Sequence, residues 1–117
     1  MKEEKHVPQH TANPTKHQFC TVPAADIVEQ NHGVKILLDM PGVKVDALDI
    51  DIRENLLTVE AESSLKRHQT PIHFRRTFQI SDAIDVSGIH AKFTDGVLVI
   101  TLPKSDAARI HKIRVSA

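Results

Sequence analysis

From residue 24 to residue 103 the apolar side chains fall on alternate positions, in short runs closed by turn residues. A helix needs a repeat near 3.6, so this period leaves strands as the regular structure. The run "ALDIDI" is the cleanest case: Leu48, Ile50 and Ile52 face one way, Asp49 and Asp51 the other. That is a strand with one wet face. Upstream, "ADIVEQ" ends at the turn signal Asn31-His32-Gly33. "VKILLDM" carries Ile36, Leu38 and Met40 on one face and stops at Pro41-Gly42. Downstream, Glu54-Asn55 predicts a tight hairpin, because Asn tolerates positive φ. "LLTVEAE" returns with Leu57, Val59 and Ala61 on one face, and "SSLKRHQTP" reads as a polar loop. "FRRTFQI" sets Phe74, Arg76, Phe78 and Ile80 against Arg75, Thr77 and Gln79. Ser81-Asp82 offers a cap for a single turn at "DAIDV". "GIHAKF" puts Ile89, Ala91 and Phe93 on one face, and Asp95-Gly96 is a strong two-residue hairpin signal. "VLVITL" is apolar on both faces, as a central buried strand is.

Short strands, tight turns and almost no helix predict an all-β chain, an immunoglobulin-like β-sandwich of about seven to eight antiparallel strands. With four Phe and no Trp or Tyr, its core must be aliphatic. The length of 117 residues fits one domain with tails. Residues 1–22 read as a flexible N-terminal arm: Pro8 and Pro14 and few large apolar groups cannot offset the entropy of ordering. Residues 23–104 form the domain, and residues 105–117 a C-terminal tail ending "HKIRVSA".

The formal net charge is +0, from 15 basic and 15 acidic side chains. No basic excess exists to displace phosphate counterions, so no nucleic-acid partner is expected. The single Cys20 excludes an intramolecular disulfide and suits a reducing compartment. "MKEEKHVPQH" lacks the apolar core of a secretory signal. No run of about 18 apolar residues occurs, so no membrane partner is expected and the location is expected to be cytoplasmic. The eight histidines invite a metal site, but none has ligand spacing. His6 and His10 are separated by Pro8, which spoils a helix. Cys20 has His17 nearby, yet both lie in the arm with no scaffold to orient them. No glycine-rich phosphate loop is present. The expectation is a protein that is not an enzyme, with no metal and no cofactor.

One stretch carries a family pattern. Ala91-Lys92-Phe93-Thr94-Asp95-Gly96-Val97-Leu98 is followed by Leu102-Pro103-Lys104. It resembles the signature of the small heat-shock protein family, whose defining unit is the α-crystallin domain. Other matching pieces stand in order: "PAADIVE", "DMPGV", "RENLLTVEAE", the Phe74-x-Arg76-x-Phe78 pattern, and Ile113-Arg114-Val115 in the tail, which is similar to the family's terminal Ile-x-Ile/Val motif. The resemblance covers about residues 23 to 115. The arm is shorter and less apolar than is usual in that family. Ser81 stands where the family has a proline, and the tail linker "SDAARIH" also lacks one.

The resemblance implies an ATP-independent holdase chaperone whose partners are unfolded or partly folded client proteins. It implies a homodimer that builds into higher oligomers. Leu48, Ile50, Ile52, Ile89, Ala91 and Phe93 are then expected to line a client- and tail-binding groove at the sandwich edge, with Ile113 and Val115 as the docking motif. Pro71, Ile72, His73, Phe74 and Arg76 are expected at the dimer interface, with Pro71 restricting its segment to an edge position. Arg76 has a second reading as an ordinary solvated strand arginine. Two other function classes share the architecture: a co-chaperone adaptor of the CS-domain type, and a structural scaffold that reuses the same domain.

Overall fold

The computed structural model describes residues 19–106 and 113–116. Most of the arm expected at residues 1–22, and tail residues 107–112 and Ala117, lie outside the described residues. The strands are β1 (Phe19–Thr21), β2 (Ala25–Gln30), β3 (Gly33–Asp39), β4 (Val43–Arg53), β5 (Leu56–Arg67), β6 (Thr70–Gln79), β7 (His90–Thr94) and β8 (Val97–Pro103). They form two four-stranded sheets, in the orders β1-β6-β5-β4 and β2-β3-β8-β7. Every strand pairing is antiparallel except β1 with β6, which is parallel.

The alternation selects the inner faces. Ile36, Leu38 and Met40 are 2%, 0% and 0% exposed, and Leu57, Val59 and Ala61 meet them from the other sheet. Leu98, Ile100 and Leu102 of β8 complete the layer, with Phe74 and Phe78 as its aromatics. Each such aliphatic side chain contributes about 1.5–3 kcal/mol when withdrawn from water. As "VLVITL" predicts, β8 is central, between β3 and β7.

Three hairpins share one turn geometry. Glu54-Asn55 (φ 49° and 65°), Asp95-Gly96 (52° and 80°) and His68-Gln69 (52° and 66°) each hold both central residues at positive φ, as the type I′ turn requires. The first two were expected. The third corrects the expectation of a polar loop over "SSLKRHQTP": β5 runs on to Arg67 and β6 begins at Thr70. Lys66 pairs with Pro71 and Arg67 with Thr70, across an irregularity after Glu62. Pro71 stands near the start of β6, where a missing N–H is tolerated.

Two smaller corrections concern the ends of elements. Phe19–Thr21, expected within the flexible arm, form β1. Ser81 receives the Ala83 N–H on its Oγ at 3.0 Å, but the regular turn comes later. It is a 3-10 turn over Val86–Gly88, capped by the Asp85 carboxylate, which accepts the Ser87 N–H at 3.1 Å.

Candidate functional site

At one long edge the two sheets part, and β4 of one faces β7 of the other. β4 and β7 are both outermost strands, so neither has a neighbour to close the gap. The inward residues of β4, Leu48, Ile50 and Ile52, are half-buried and pack on the core, as do Ile89 and Phe93 from the β7 side. Ala91 between them is exposed.

Two cavities lie in line along this edge. One, of about 280 Å³, is walled by Ile50, Ile52, Ile89 and Ala91 over a floor of Leu57 and Ile100. The other, of about 230 Å³, is walled by Leu48, Ile50, Ala91 and Phe93 over Leu98. The structure thus brings together all six groove residues expected from the sequence. It adds two that alternation does not reveal. Val86 borders the first cavity and Val45 the second. Val45 is three positions from Leu48, out of step with a period of two. The register of β4 on β5 shifts between Val43 and Leu48, and a bulge of this kind brings Val45 round to the groove side. Val86 sits in the 3-10 turn, outside any strand pattern.

The tail motif is not seated in this groove. Ile113 and Val115 are 87% and 88% exposed, an unusual state for two branched aliphatic side chains so close together.

The residues expected at a dimer interface all lie on β6, with differing exposure. Phe74 and His73 are buried, Phe74 as part of the core. The Phe74 side chain is withdrawn because it pairs with Ala61 on the inner face. His73 Nε2–H donates to Glu60 Oε2 at 3.2 Å, and its Nδ1 has no hydrogen-bond partner among the described residues. Glu60 also meets Arg75, at 3.5 Å. Pro71, Ile72 and Arg76 are half-buried. Arg76 is committed within the chain: Nη1 donates to the Pro23 carbonyl at 3.0 Å, and the guanidinium lies 5.0 Å from the centre of the Phe78 ring. Among the described residues, the backbone edge of β6 is paired with β1 only over Ile72, His73 and Phe74.

A larger cavity, about 640 Å³, opens at the opposite edge, between β2 and the end of β6. Ile27, Val34, Phe78 and Ile80 form its apolar part, with Glu29 and Lys104 among its polar lining. Nothing in the alternation singled it out, since its walls combine mid-strand residues such as Ile27 and Ile36 with the end of β6 and the loop after it. Among the described residues no three His, Cys, Asp or Glu side chains are grouped to hold a metal ion, and no helix is long and apolar enough to cross a membrane.

Residues 26–116 match the model of the Hsp20/alpha crystallin family. The chain is 29% identical over 104 residues to small heat shock protein C4 of Rickettsia felis, covering 80% of this chain and 64% of that protein. It is 37% identical over 87 residues to the 18 kDa antigen 1 of Mycobacterium avium, covering 68% and 59%. The chain therefore spans about three fifths of the length of these relatives. Among solved structures, heat shock protein 16.0 from Schizosaccharomyces pombe superposes with a TM-score of 0.66 at 25% identity, over 83% of this chain and 99% of that one. A small heat-shock protein from Xylella fastidiosa, described as having a distinct high order structure, gives 0.65 at 26% identity, over 83% and 98%.

Proposed function

The chain belongs to the Hsp20/alpha crystallin family, and from that premise we propose that it is an ATP-independent holdase: it binds partly unfolded proteins and keeps them from aggregating. It works in the cytoplasm, without a cofactor and without catalysis. One observation carries the reading. Two apolar cavities stand in line along an unclosed sandwich edge, and the same chain carries an exposed pair of aliphatic side chains two residues apart.

The two features match in scale. In an extended segment, residues two apart point to the same side and lie about 7 Å from each other. The cavities are adjacent, because Ile50 and Ala91 border both. Ile113 in one and Val115 in the other each gain about 1.5–3 kcal/mol from burial, before ordering costs. Binding of that strength exchanges readily, so an apolar client segment in extended form competes for the same groove. About twelve residues separate Pro103 from Val115, each adding up to about 3.3 Å, so the tail reaches a neighbouring subunit. Docking there builds larger assemblies from dimers.

The dimer seam runs along β6. The edge of that strand beyond Phe74 has no strand partner among the described residues, and an unpaired edge recruits another chain.

The test is to heat a thermolabile client with the protein in nucleotide-free buffer and pass the mixture over a sizing column. A soluble complex containing both supports the holdase. A client that pellets while the protein elutes alone refutes it.

A further inference from the structure

We propose that β1 is a displaceable guard on β6: it occupies in cis the strand edge that a second copy of this chain needs, so the dimer forms as β1 leaves. The proposal rests on the reading that the dimer seam runs along β6.

β6 is a strand of 10 residues, yet β1 covers it only at Ile72, His73 and Phe74. The pairing is parallel, the less stable mode per residue, and the three described residues of β1 supply little ladder to hold it. The side chains add little. Cys20 is exposed, and Phe19 and Thr21 are half-buried. Among the described residues, a side-chain contact that holds β1 is the Arg67 guanidinium, 4.6 Å from the centre of the Phe19 ring. Arg67 is itself exposed, at the tip of the β5–β6 hairpin, where such a stack is weak.

The chain leaves β6 at a fixed point. After Thr21 it turns through Val22 to Pro23, which is fully buried and whose carbonyl accepts from Arg76. Pro23 offers no N–H to continue the ladder, so Arg75 to Gln79 have no strand partner among the described residues. The edge is therefore part covered and part free. The Pro23 anchor fixes β2 on its sheet whether or not β1 is docked, so β1 can detach without disturbing the sandwich.

A second copy fits the edge better than β1 does. Two β6 strands pairing antiparallel about a two-fold axis form a closed, self-complementary interface with a ladder that extends past Phe74. Such a ladder and β1 cannot share Ile72 to Phe74. Arg75 does not oppose the approach of its own copy as a bare charge, because Glu60 lies 3.5 Å away. Holding the edge with a weak local strand keeps the monomer from pairing with other sheet edges.

The chain and its Phe19→Ala and Arg67→Ala variants test this by sedimentation across a dilution series. Hydrogen exchange is followed at Arg75 to Gln79 on the wild type. Both variants remove the same stack from opposite sides, and neither residue belongs to the core. The proposal predicts a dimer dissociation constant lowered about threefold to tenfold in both, with concentration-dependent protection at Arg75 to Gln79. A wild-type dimer with that protection whose affinity is unchanged or weakened in both variants overturns the guard and leaves the β6 seam standing. A chain that stays monomeric throughout, or dimerises without protecting those amides, overturns the seam and the guard with it.

Discussion

Ile50 and Ala91 each border both groove cavities, so the junction of the two is built by one residue from each sheet. Ile50 packs on the core, whereas Ala91 is exposed and presents a single methyl group. The junction of the two cavities is thus bordered on one side by a side chain that packs little on the core.

Ala91→Leu should fill the junction of the two cavities. We expect a labelled peptide of residues 109–117 to bind the tail-deleted chain about tenfold more weakly, a loss of about 1.4 kcal/mol. Stability should stay within about 0.5 kcal/mol of the parent, as for most exposed positions. Fluorescence anisotropy measures the first and urea unfolding the second. An unchanged affinity would move tail docking elsewhere, and the 640 Å³ cavity at the opposite edge is then the site to probe.

Gly96→Val should destabilise the domain. A Cβ at Gly96 meets nothing closer than 3.7 Å, but the residue sits at φ 80°. The cost is therefore backbone strain rather than collision, about 1–3 kcal/mol, and more than for Gly96→Asn, since Asn tolerates this region. A melting temperature equal to the parent's would show that the turn relaxes to another type.

Arg76→Met keeps the aliphatic volume and removes the hydrogen bond to the Pro23 carbonyl. A bond from a charged donor contributes about 1.5–3 kcal/mol, discounted here because Arg76 is half-buried. We expect a loss of about 1–2 kcal/mol in urea unfolding. A change below about 0.5 kcal/mol would return Arg76 to the role of a solvated strand arginine.

Removing residues 113–117 should leave the sandwich folded and reduce larger assemblies to dimers. Ile113 and Val115 contribute nothing to the core, being 87% and 88% exposed. Native mass spectrometry reads the assembly and circular dichroism the fold. An unaltered mass distribution together with unaltered client binding would remove the tail from the account, and an unfolded domain would contradict its independence.

The two faces that border these cavities were legible in the sequence because they obey strict alternation: Leu48-Ile50-Ile52 and Ile89-Ala91-Phe93 each read as one face of a strand, but alternation alone does not bring the two faces to one edge. Val45 was hidden by the register shift between Val43 and Leu48, which no periodicity reveals. The His68-Gln69 hairpin was hidden for a different reason. Both residues take positive φ, but His-Gln is not one of the Asn-Gly, Asp-Gly or Gly-Gly pairs that mark a type I′ turn in a sequence. The ladder between Lys66-Arg67 and Thr70-Pro71, not turn propensity, holds that conformation. β1 escaped notice because three residues are too few to establish a period. His73 lies on the outer face, paired with Glu62, yet it is fully buried against Glu60; the burial depends on neighbouring strands that alternation does not describe.

The most direct test of the account is the light scattering of a heat-denatured client at an equimolar amount of this protein, in buffer free of ATP. The holdase reading predicts that scattering falls by at least half, that added ATP changes nothing, and that Ala91→Leu weakens the protection. Scattering as strong as that of the client alone, at equimolar and at tenfold higher protein, would contradict it and favour a structural role for the same sandwich.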